Sequence, residues 1–94
     1  MHVVTVVFQI KVAHALDFLR EVSKNANSSL KLEAGCRHFD VCVSLKDAGK
    51  VFLHELYDDH QAFDLHLASR HFQAFNRLTA DWVESKEVQE FIRT

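Results

Sequence analysis

Residues 54–75, HELYDDHQAFDLHLASRHFQAF, carry four of the seven histidines of this 94-residue chain. The stretch opens with two further side chains of chemical interest, Glu55 and Tyr57, which stand two residues apart. Histidine binds transition metals and also transfers protons near neutral pH. The stretch is therefore compatible with a metal site, an acid–base site or the packed side of a small domain.

A metal site has little support from the spacing of these histidines. Two zinc-binding histidines on one helix stand four residues apart, so that both rings reach the same ion. His60 and His66 are six residues apart, and His66 and His71 are five apart. A break near Ser69 would bring His66 and His71 together, but no third ligand has a matching register. We therefore expect no metal.

An acid–base site is better supported. His66 falls on the apolar side of its predicted helix, beside Phe63 and one turn after Ala62. Glu55 and Tyr57 share one face of a predicted strand, because strand side chains alternate. If helices cover that face, a histidine, a carboxylate and a phenol meet in an apolar cavity. Proton abstraction requires such a set: a base, a group that orients it and a hydrogen-bond donor for the developing anion.

A purely structural interpretation of the same residues stays open. A histidine on an apolar helix face is often a core residue with one hydrogen bond, and a glutamate and a tyrosine on a strand can pair at a subunit interface. Taken singly, each residue favours that interpretation. The three together, in one half of the chain, support the acid–base interpretation equally well.

Composition restricts the class of protein. A chain of 94 residues predicts one domain, residues 1–94, and 48% apolar residues suffice for a globular core. The net charge of −2 gives no basic surface for nucleic acid or anionic lipid. No apolar run approaches the roughly 18 residues of a membrane span, and the start of the chain lacks the features of a signal peptide. We expect a soluble, cytoplasmic protein.

The two cysteines are too few for a disulfide framework, and their spacing fits no zinc knuckle. We expect both to stay reduced, with Cys42 as a small core residue and Cys36 partly exposed. A redox role for Cys36 is conceivable but has no support in the sequence.

Hydrophobic periodicity predicts the element order β-α-β-β-α-α-β. This is the α+β, ferredoxin-like split βαβ pattern with its second helix broken, in which helices cover one face of a four-stranded antiparallel sheet. The predicted elements span residues 2–12, 14–33, 37–45, 51–57, 60–68, 70–83 and the C-terminal KEVQEFIRT. The first strand is apolar on both faces, which places it in the middle of the sheet and predicts a homodimer that covers the open sheet face.

Several local features follow from this order. Gly35 is expected to end the first helix in the left-handed conformation, and Gly49 to form the tip of the hairpin turn. Asp58 or Asp59 and then Ser69 are expected to cap the two helices that follow. A repeat of apolar residues predicts the inward side of the first helix: Ala15, Leu19, Val22, Ala26 and Leu30. In the last strand, one of three apolar residues is expected to face inward: Val88, Phe91 or Ile92.

The segments EAGCRHFDV and VFLHELYDDHQAFDLHLASRHFQAF, with the strand-like start, resemble the antibiotic biosynthesis monooxygenase domain family over nearly the whole chain. The one small departure is Ala34, where proline is common in the family. The matching positions are Glu33, Gly35, Cys36, Phe39, Asp40, Glu55, Tyr57, Asp59, Ala62, Phe63, His66, Ser69, His71 and Phe72.

The resemblance implies a dimeric α+β barrel with a pocket between the helices and the sheet of each subunit. Many members are monooxygenases that need no cofactor and act on phenols, quinols or polycyclic aromatics. A related class isomerises a phosphorylated autoinducer sugar derivative, and a more distant one degrades haem. The asparagine, tryptophan and histidine signature of the haem-degrading class is not evident here.

On this basis we assign His66 as the base, Glu55 as the group that orients it and Tyr57 as the donor to the substrate oxygen. His71 is a candidate for the pocket or for a position behind it. The apolar walls for a flat ring are assigned to Phe39, Phe63 and Phe72. The expected ligand is a small aromatic or enediol-type substrate, and no metal or cofactor is expected.

Two other functions stay open at this point. An isomerase would use the same residues to move protons on a phosphorylated enediol, and its phosphate site has only weak candidates in Lys11, Arg37 and Arg70. A non-enzymatic, small-molecule-binding dimer would tolerate replacement of His66 apart from a loss of packing.

Overall fold

Four antiparallel strands form one sheet in the order β2-β3-β1-β4, and the helices lie against one of its faces. A computed structural model describes residues 1–94. Short 3-10 turns at Val12–His14 and Ala80–Trp82 precede α1 and β4. The main elements are β1 (His2–Ile10), α1 (Ala15–Leu32), β2 (Cys36–Val43), β3 (Lys50–Tyr57), α2 (His60–Ala68), α3 (Arg70–Thr79) and β4 (Val83–Ile92). The predicted ferredoxin-like α+β fold is confirmed.

The first strand occupies the centre of the sheet, as its two apolar faces predict. It pairs with β3 on one side and with β4 on the other. Val4, Val6, Phe8 and Ile10 are buried under the helices. The opposite face of β1 is only half-buried, since no element of the chain lies on it.

The buried side of α1 is the predicted one over most of the helix. Ala15, Val22 and Ala26 are buried and Leu19 packs against the core, but Leu30 is 44% exposed, so its predicted inward position is wrong. Asn25 and Ser29 are buried as well. Two polar residues near the end of α1 therefore belong to its packed side.

Both glycines lie where another part of the chain passes too close to leave room for a side chain, and neither has an unusual backbone conformation. No glycine has a positive φ, so the left-handed conformation predicted for Gly35 is wrong. A Cβ on Gly35 would lie 2.6 Å from the Cβ of Ala62, which allows the loop after α1 to touch α2. A Cβ on Gly49 would lie 2.5 Å from the carbonyl oxygen of Ile10.

The predicted helix caps form. The carboxylate of Asp59 accepts a hydrogen bond from the backbone N–H of Ala62 at 2.8 Å, at the start of α2. The hydroxyl of Ser69 accepts one from the N–H of Phe72 at 3.3 Å, at the start of α3. Because Ser69 itself has extended backbone angles, the chain changes direction there and α2 and α3 are separate helices.

The exposure predicted for the cysteines is reversed. Cys36 is buried and Cys42 is exposed, and both are free thiols. The strand register shifts between Cys36 and His38, which brings Cys36 onto the helix-covered face opposite Tyr57. Cys42 pairs with Phe52 on the open face.

The last strand is an edge strand with little cover. Val88, Phe91 and Ile92 are 45%, 48% and 79% exposed, so none of them is buried. Val88 nevertheless faces the helix-covered side of the sheet, as predicted for one of the three, because it pairs with the buried Val6 and lines the space under the helices. The helices lie over the central strands, and β4 extends beyond them. No helix combines the length and the apolar character that crossing a bilayer requires.

Candidate active site

A cavity of about 250 Å³ lies between the helices and the sheet. Its walls are mostly apolar, and five polar side chains interrupt them. The volume falls near the lower end of the range for ligand pockets, roughly 300–1,000 Å³. The apolar lining is Val4, Val6, Phe8, Phe39, Leu53, Phe63, Leu67, Phe72, Phe75 and Val88, and the polar lining is Asn25, Glu55, His66, Lys86 and Glu90.

His66 is the central polar residue of this cavity. It lies on α2, is 2% exposed and packs against the ring of Phe72 at a centroid distance of 4.9 Å. Its Nδ1 lies 2.9 Å from Oε2 of Glu33. An ionised carboxylate only accepts hydrogen bonds, so Nδ1 carries the proton and donates a hydrogen bond to Glu33. The other ring nitrogen, Nε2, keeps a free lone pair and lies 4.0 Å from Oε1 of Glu55.

Glu33 fixes the imidazole of His66 through its Nδ1, on the side away from the cavity. The same oxygen, Oε2, accepts a second hydrogen bond from Nε2 of His71 at 2.6 Å. The hydroxyl oxygen of Ser29 lies 3.2 Å from His66 Nδ1 and 3.1 Å from His71 Nε2. Burial acts to raise the pKa of Glu33, but hydrogen bonds from His66 and Ser29 hold that pKa below its usual range. Glu33 is therefore anionic at neutral pH and keeps His66 in one tautomer.

Glu55 is in the opposite electrostatic situation. It is 2% exposed, and burial raises its pKa above the usual range. The hydroxyl of Tyr57 donates to Glu55 Oε1 at 2.6 Å, which partly offsets this effect. Burial, followed by the charge of Glu55, raises the pKa of Tyr57 as well, so the phenol stays protonated. The two glutamates on either side of His66 thus have pKa values shifted in opposite directions.

Lys86 is the one cationic side chain that lines the cavity. It extends from β4, and its ammonium lies 5.4 Å from the ring centroid of Phe8 and 5.8 Å from that of Phe72. Lys86 as a whole is exposed, but partial burial of its ammonium lowers the pKa of that group. The charge of Glu55 acts against this lowering.

The structure brings most of the predicted site residues together. His66 and Glu55 line the cavity, as do the three phenylalanines predicted to form its walls, Phe39, Phe63 and Phe72. Tyr57 and His71 do not line it. Tyr57 is fully buried behind Glu55, and His71 lies behind Glu33 beside a shallow groove between α1 and α3.

Two predicted roles change with this geometry. The group that orients His66 is Glu33, because it accepts the Nδ1 proton, whereas Glu55 is 4.0 Å from the ring. The hydroxyl of Tyr57 is engaged by Glu55 and does not face the cavity, so it positions Glu55 rather than contacting a ligand.

Sequence reasoning missed four residues of the site or gave them no role there: Asn25, Ser29, Glu33 and Lys86. The first three stand four residues apart, which places them on one side of α1 and its continuation. That repeat was a usable signal, because the apolar stripe of Phe18 and Val22 leads into it. No comparable signal marks Lys86, which reaches the cavity only because β4 pairs with β1 beside Phe8.

The buried thiol of Cys36 has no sign of activation. Burial raises its pKa to about 12, and the negative charges of Glu33 and Glu55 act in the same direction. A thiol that ionises so late is a poor nucleophile at neutral pH.

Three groups of side chains have the donor types that metal ions prefer. In the group at His66, the ring nitrogens lie 2.9 and 2.6 Å from Glu33 Oε2, and these are hydrogen-bond distances. The groups are Glu33, His66 and His71; His2, His60 and Glu90; and His38, Asp40 and His54.

Comparison with known proteins identifies the family. The sequence profile of the family described as antibiotic biosynthesis monooxygenase matches residues 1–78, so the chain belongs to that family. Membership supports a monooxygenase-like function in general terms. None of the curated protein sequences compared with the chain matches it.

Solved structures show the same fold. A protein from Nitrosomonas europaea, proposed to be an antibiotic biosynthesis monooxygenase, is 23% identical with a TM-score of 0.93 over 99% of this chain and 98% of its own. PA3566 from Pseudomonas aeruginosa is 22% identical with a TM-score of 0.90, over 99% and 93%. A conserved protein from Methanosarcina mazei Go1 is 21% identical with a TM-score of 0.90, over 99% and 92%.

Proposed function

We propose that this chain is a monooxygenase that oxidises a small phenolic or quinol-type aromatic with dioxygen and uses neither metal nor flavin. The observation that supports it most is the arrangement of His66. Its Nδ1 is held by an anionic Glu33, and its Nε2 lies in an apolar cavity, 4.0 Å from Glu55. A base that is fixed in one tautomer and shielded from water is suited to deprotonate a phenol.

The proposed reaction begins with transfer of the substrate hydroxyl proton to Nε2 of His66. The resulting phenolate supplies the electrons to dioxygen, and a bond forms between a ring carbon and oxygen. The peroxide anion takes the proton back from His66. Loss of the ring hydrogen and of hydroxide, which together make water, leaves a quinone. One oxygen atom of dioxygen enters the product, and the other leaves as water.

Other side chains of the cavity support these steps. The ammonium of Lys86 stabilises negative charge on the phenolate and on the peroxide, because the mostly apolar walls around it screen charge less than bulk water does. Phe39, Phe63 and Phe72 hold a flat ring. Glu55, kept in place by the hydroxyl of Tyr57, favours the protonated state of His66 during the reaction.

Oxygen uptake tests the proposal. Metal-free protein, kept with a chelator, is mixed with a panel of quinols and naphthols, and uptake is compared with the autoxidation background. We expect uptake with at least one compound and a loss of roughly a hundredfold or more in His66→Ala, in line with removal of a general base. Circular dichroism checks that the variant folds. Uptake unaffected by the substitution would contradict the role of His66.

The isomerase alternative is less well supported by the cavity. Its weak phosphate candidates, Lys11, Arg37 and Arg70, do not line the cavity. Arg37 instead pairs with Asp58 at 2.6 Å. Exchange of solvent deuterium into a phosphorylated hydroxyketone, without oxygen uptake, would favour the isomerase. A non-enzymatic binding module would show neither activity and would tolerate His66→Ala.

We infer that the working unit is a homodimer in which a second copy covers the open face of the sheet. That face presents apolar side chains of the central strands, including Val3, Val7, Phe52 and Leu56, none of which is buried within the chain. One chain has no further element to cover them. Pairing of two such faces produces the closed barrel that the family resemblance implies.

A further inference from the structure

Asn25 is a polar residue in a position where the fold calls for an apolar one. It lies on the buried side of α1, between Val22 and Ser29, and is only 5% exposed. Its carboxamide oxygen, Oδ1, is buried and has no hydrogen-bond partner in the protein. A buried polar atom without a partner destabilises a fold, and native proteins contain few of them.

The position of Asn25 indicates where a partner comes from. Asn25 is one of the polar residues that line the cavity with His66. The chain has one other buried oxygen without a partner, Oε1 of Glu33, but Glu33 does not line the cavity. Asn25 is therefore the one residue with an unpartnered buried oxygen that contributes to the cavity wall, and it also contributes to the groove between α1 and α3. Because Oδ1 itself is covered, a ligand in the cavity meets it once the carboxamide turns toward the cavity.

We propose that Asn25 determines substrate specificity by accepting a hydrogen bond from a second hydroxyl group of the aromatic substrate. This inference rests on the proposed function, because it places the substrate in the same cavity. The first hydroxyl faces His66 on α2, and the second faces Asn25 on α1. The substrate class is then a dihydroxylated aromatic rather than a simple phenol.

The contribution of Asn25 is measurable without turnover. Binding of alpha-naphthol and of a series of dihydroxynaphthalene isomers is measured by calorimetry under nitrogen, with wild type and with Asn25→Leu. We expect the best isomer to bind wild type roughly tenfold more tightly than alpha-naphthol, the gain of about one buried hydrogen bond. In Asn25→Leu that preference disappears, so that the affinities for the diol and for alpha-naphthol become equal; their ratio is the readout, because a change in the shape of the cavity wall acts on both ligands.

Thermal unfolding gives a second readout. We expect Asn25→Leu to be at least as stable as wild type, because leucine removes the unpartnered oxygen and forms helix more readily. Asn27→Leu is the matched control, since Asn27 is exposed on the same helix and should keep the preference for the diol. Asn25→Ala, a smaller replacement, gives the same test if leucine does not fit.

The outcomes separate this inference from the proposed function. Equal affinity of wild type for alpha-naphthol and every diol, or a diol preference that survives in both Asn25 variants, would overturn the role of Asn25. Failure of every naphthol to bind would overturn it too. Oxygen uptake is a separate measurement, so uptake together with any of these results would remove Asn25 alone and leave the proposed function standing.

Discussion

His66 lies between two glutamates that the fold treats in opposite ways. Glu33 accepts hydrogen bonds from two imidazoles and is held anionic, whereas Glu55 accepts one from Tyr57 and resists ionisation. The anionic Glu33 therefore stabilises a proton on His66 and fixes the tautomer of the ring, whereas Glu55 adds to this stabilisation only when it is itself ionised. In the proposed mechanism, this asymmetry lets His66 take a proton from the substrate and return it.

The two glutamates should have opposite effects on stability as pH changes. The pKa of Glu33 is lowered in the folded state, so its stabilisation is present above the usual glutamate pKa and is lost as pH falls through the lowered value. We expect Glu33→Gln to reduce the free energy of unfolding by about 1–3 kcal/mol at neutral pH, the contribution of hydrogen bonds to a charged group. The deficit should shrink in acid, as chemical denaturation at several pH values would show.

Glu55→Gln provides the matched comparison. The pKa of Glu55 is raised in the folded state, so stability is fully present below the usual glutamate pKa and is lost as pH rises through the raised value. The amide cannot ionise and can still accept from Tyr57, so we expect the variant to gain stability relative to wild type as pH rises. Identical pH profiles for the two variants would contradict the assignment of the charges.

At the residue scale, the sequence predicted which side chains gather at the site, but it did not predict the hydrogen-bond partner of each one. Alternation placed Glu55 beside Tyr57, and helical period placed His66 inward; both hold. The partner of His66 was misjudged because Glu33 lies 33 residues away in the chain, and only the contact of the segment after α1 with α2 brings it close. Hydrogen-bond partners at such a separation are set by tertiary packing rather than by local pattern.

At the scale of elements, the loop after α1 and the first turn of α2 determine where Glu33 and His66 meet. Gly35 touches Ala62 so closely that any added methyl group would overlap it. The backbone N–H of Asp58 also donates to the carbonyl of Gly35 at 2.9 Å. The loop and α2 therefore form one rigid unit under the site.

Gly35→Ala should disturb this unit. The new Cβ would lie 2.6 Å from that of Ala62, and the resulting shift of α2 is expected to cost about 1–3 kcal/mol of unfolding free energy, as in other overpacked sites. The double variant Gly35→Ala with Ala62→Gly removes the clash, and we expect it to recover part of the loss. Denaturant unfolding of wild type, both single variants and the double variant measures this; strict additivity would argue against the contact.

Elements were predicted better than their ends and packed sides. Period and turn residues were enough for seven elements in the right order, because α1 and the strands have clear periods and because α2 and α3 begin at capping residues, Asp59 and Ser69. The shift of register at Cys36 was not predictable, since a β-bulge leaves no mark in the alternation of so short a strand. The exposure of β4 was missed because it depends on how far the helices reach across the sheet.

At the scale of the whole molecule, the open sheet face is the main feature that one chain leaves unexplained. If a second copy covers it, a charge at its centre should separate the subunits. We expect wild type to sediment as a dimer and Val7→Glu to sediment as a monomer, because a buried unpaired carboxylate is strongly unfavourable. Val12→Glu, at an exposed position off the sheet, is the control and should remain dimeric.

A monomeric wild type at micromolar concentration would contradict the dimer. A Val7→Glu variant that stays dimeric would instead show that the subunits meet through another surface. Circular dichroism is needed for both variants, so that a loss of association is not confused with unfolding.

The most direct test of the central claim is an absorption spectrum of bound substrate without oxygen. Under nitrogen and with a chelator present, a naphthol that the protein oxidises is added to wild type and to His66→Ala at a pH where the free naphthol is protonated. If the cavity acts by deprotonation, the naphtholate band appears with wild type and not with the variant, and it decays when oxygen is admitted. A bound naphthol that stays protonated in wild type, and yet is oxidised when oxygen is admitted, would contradict the account.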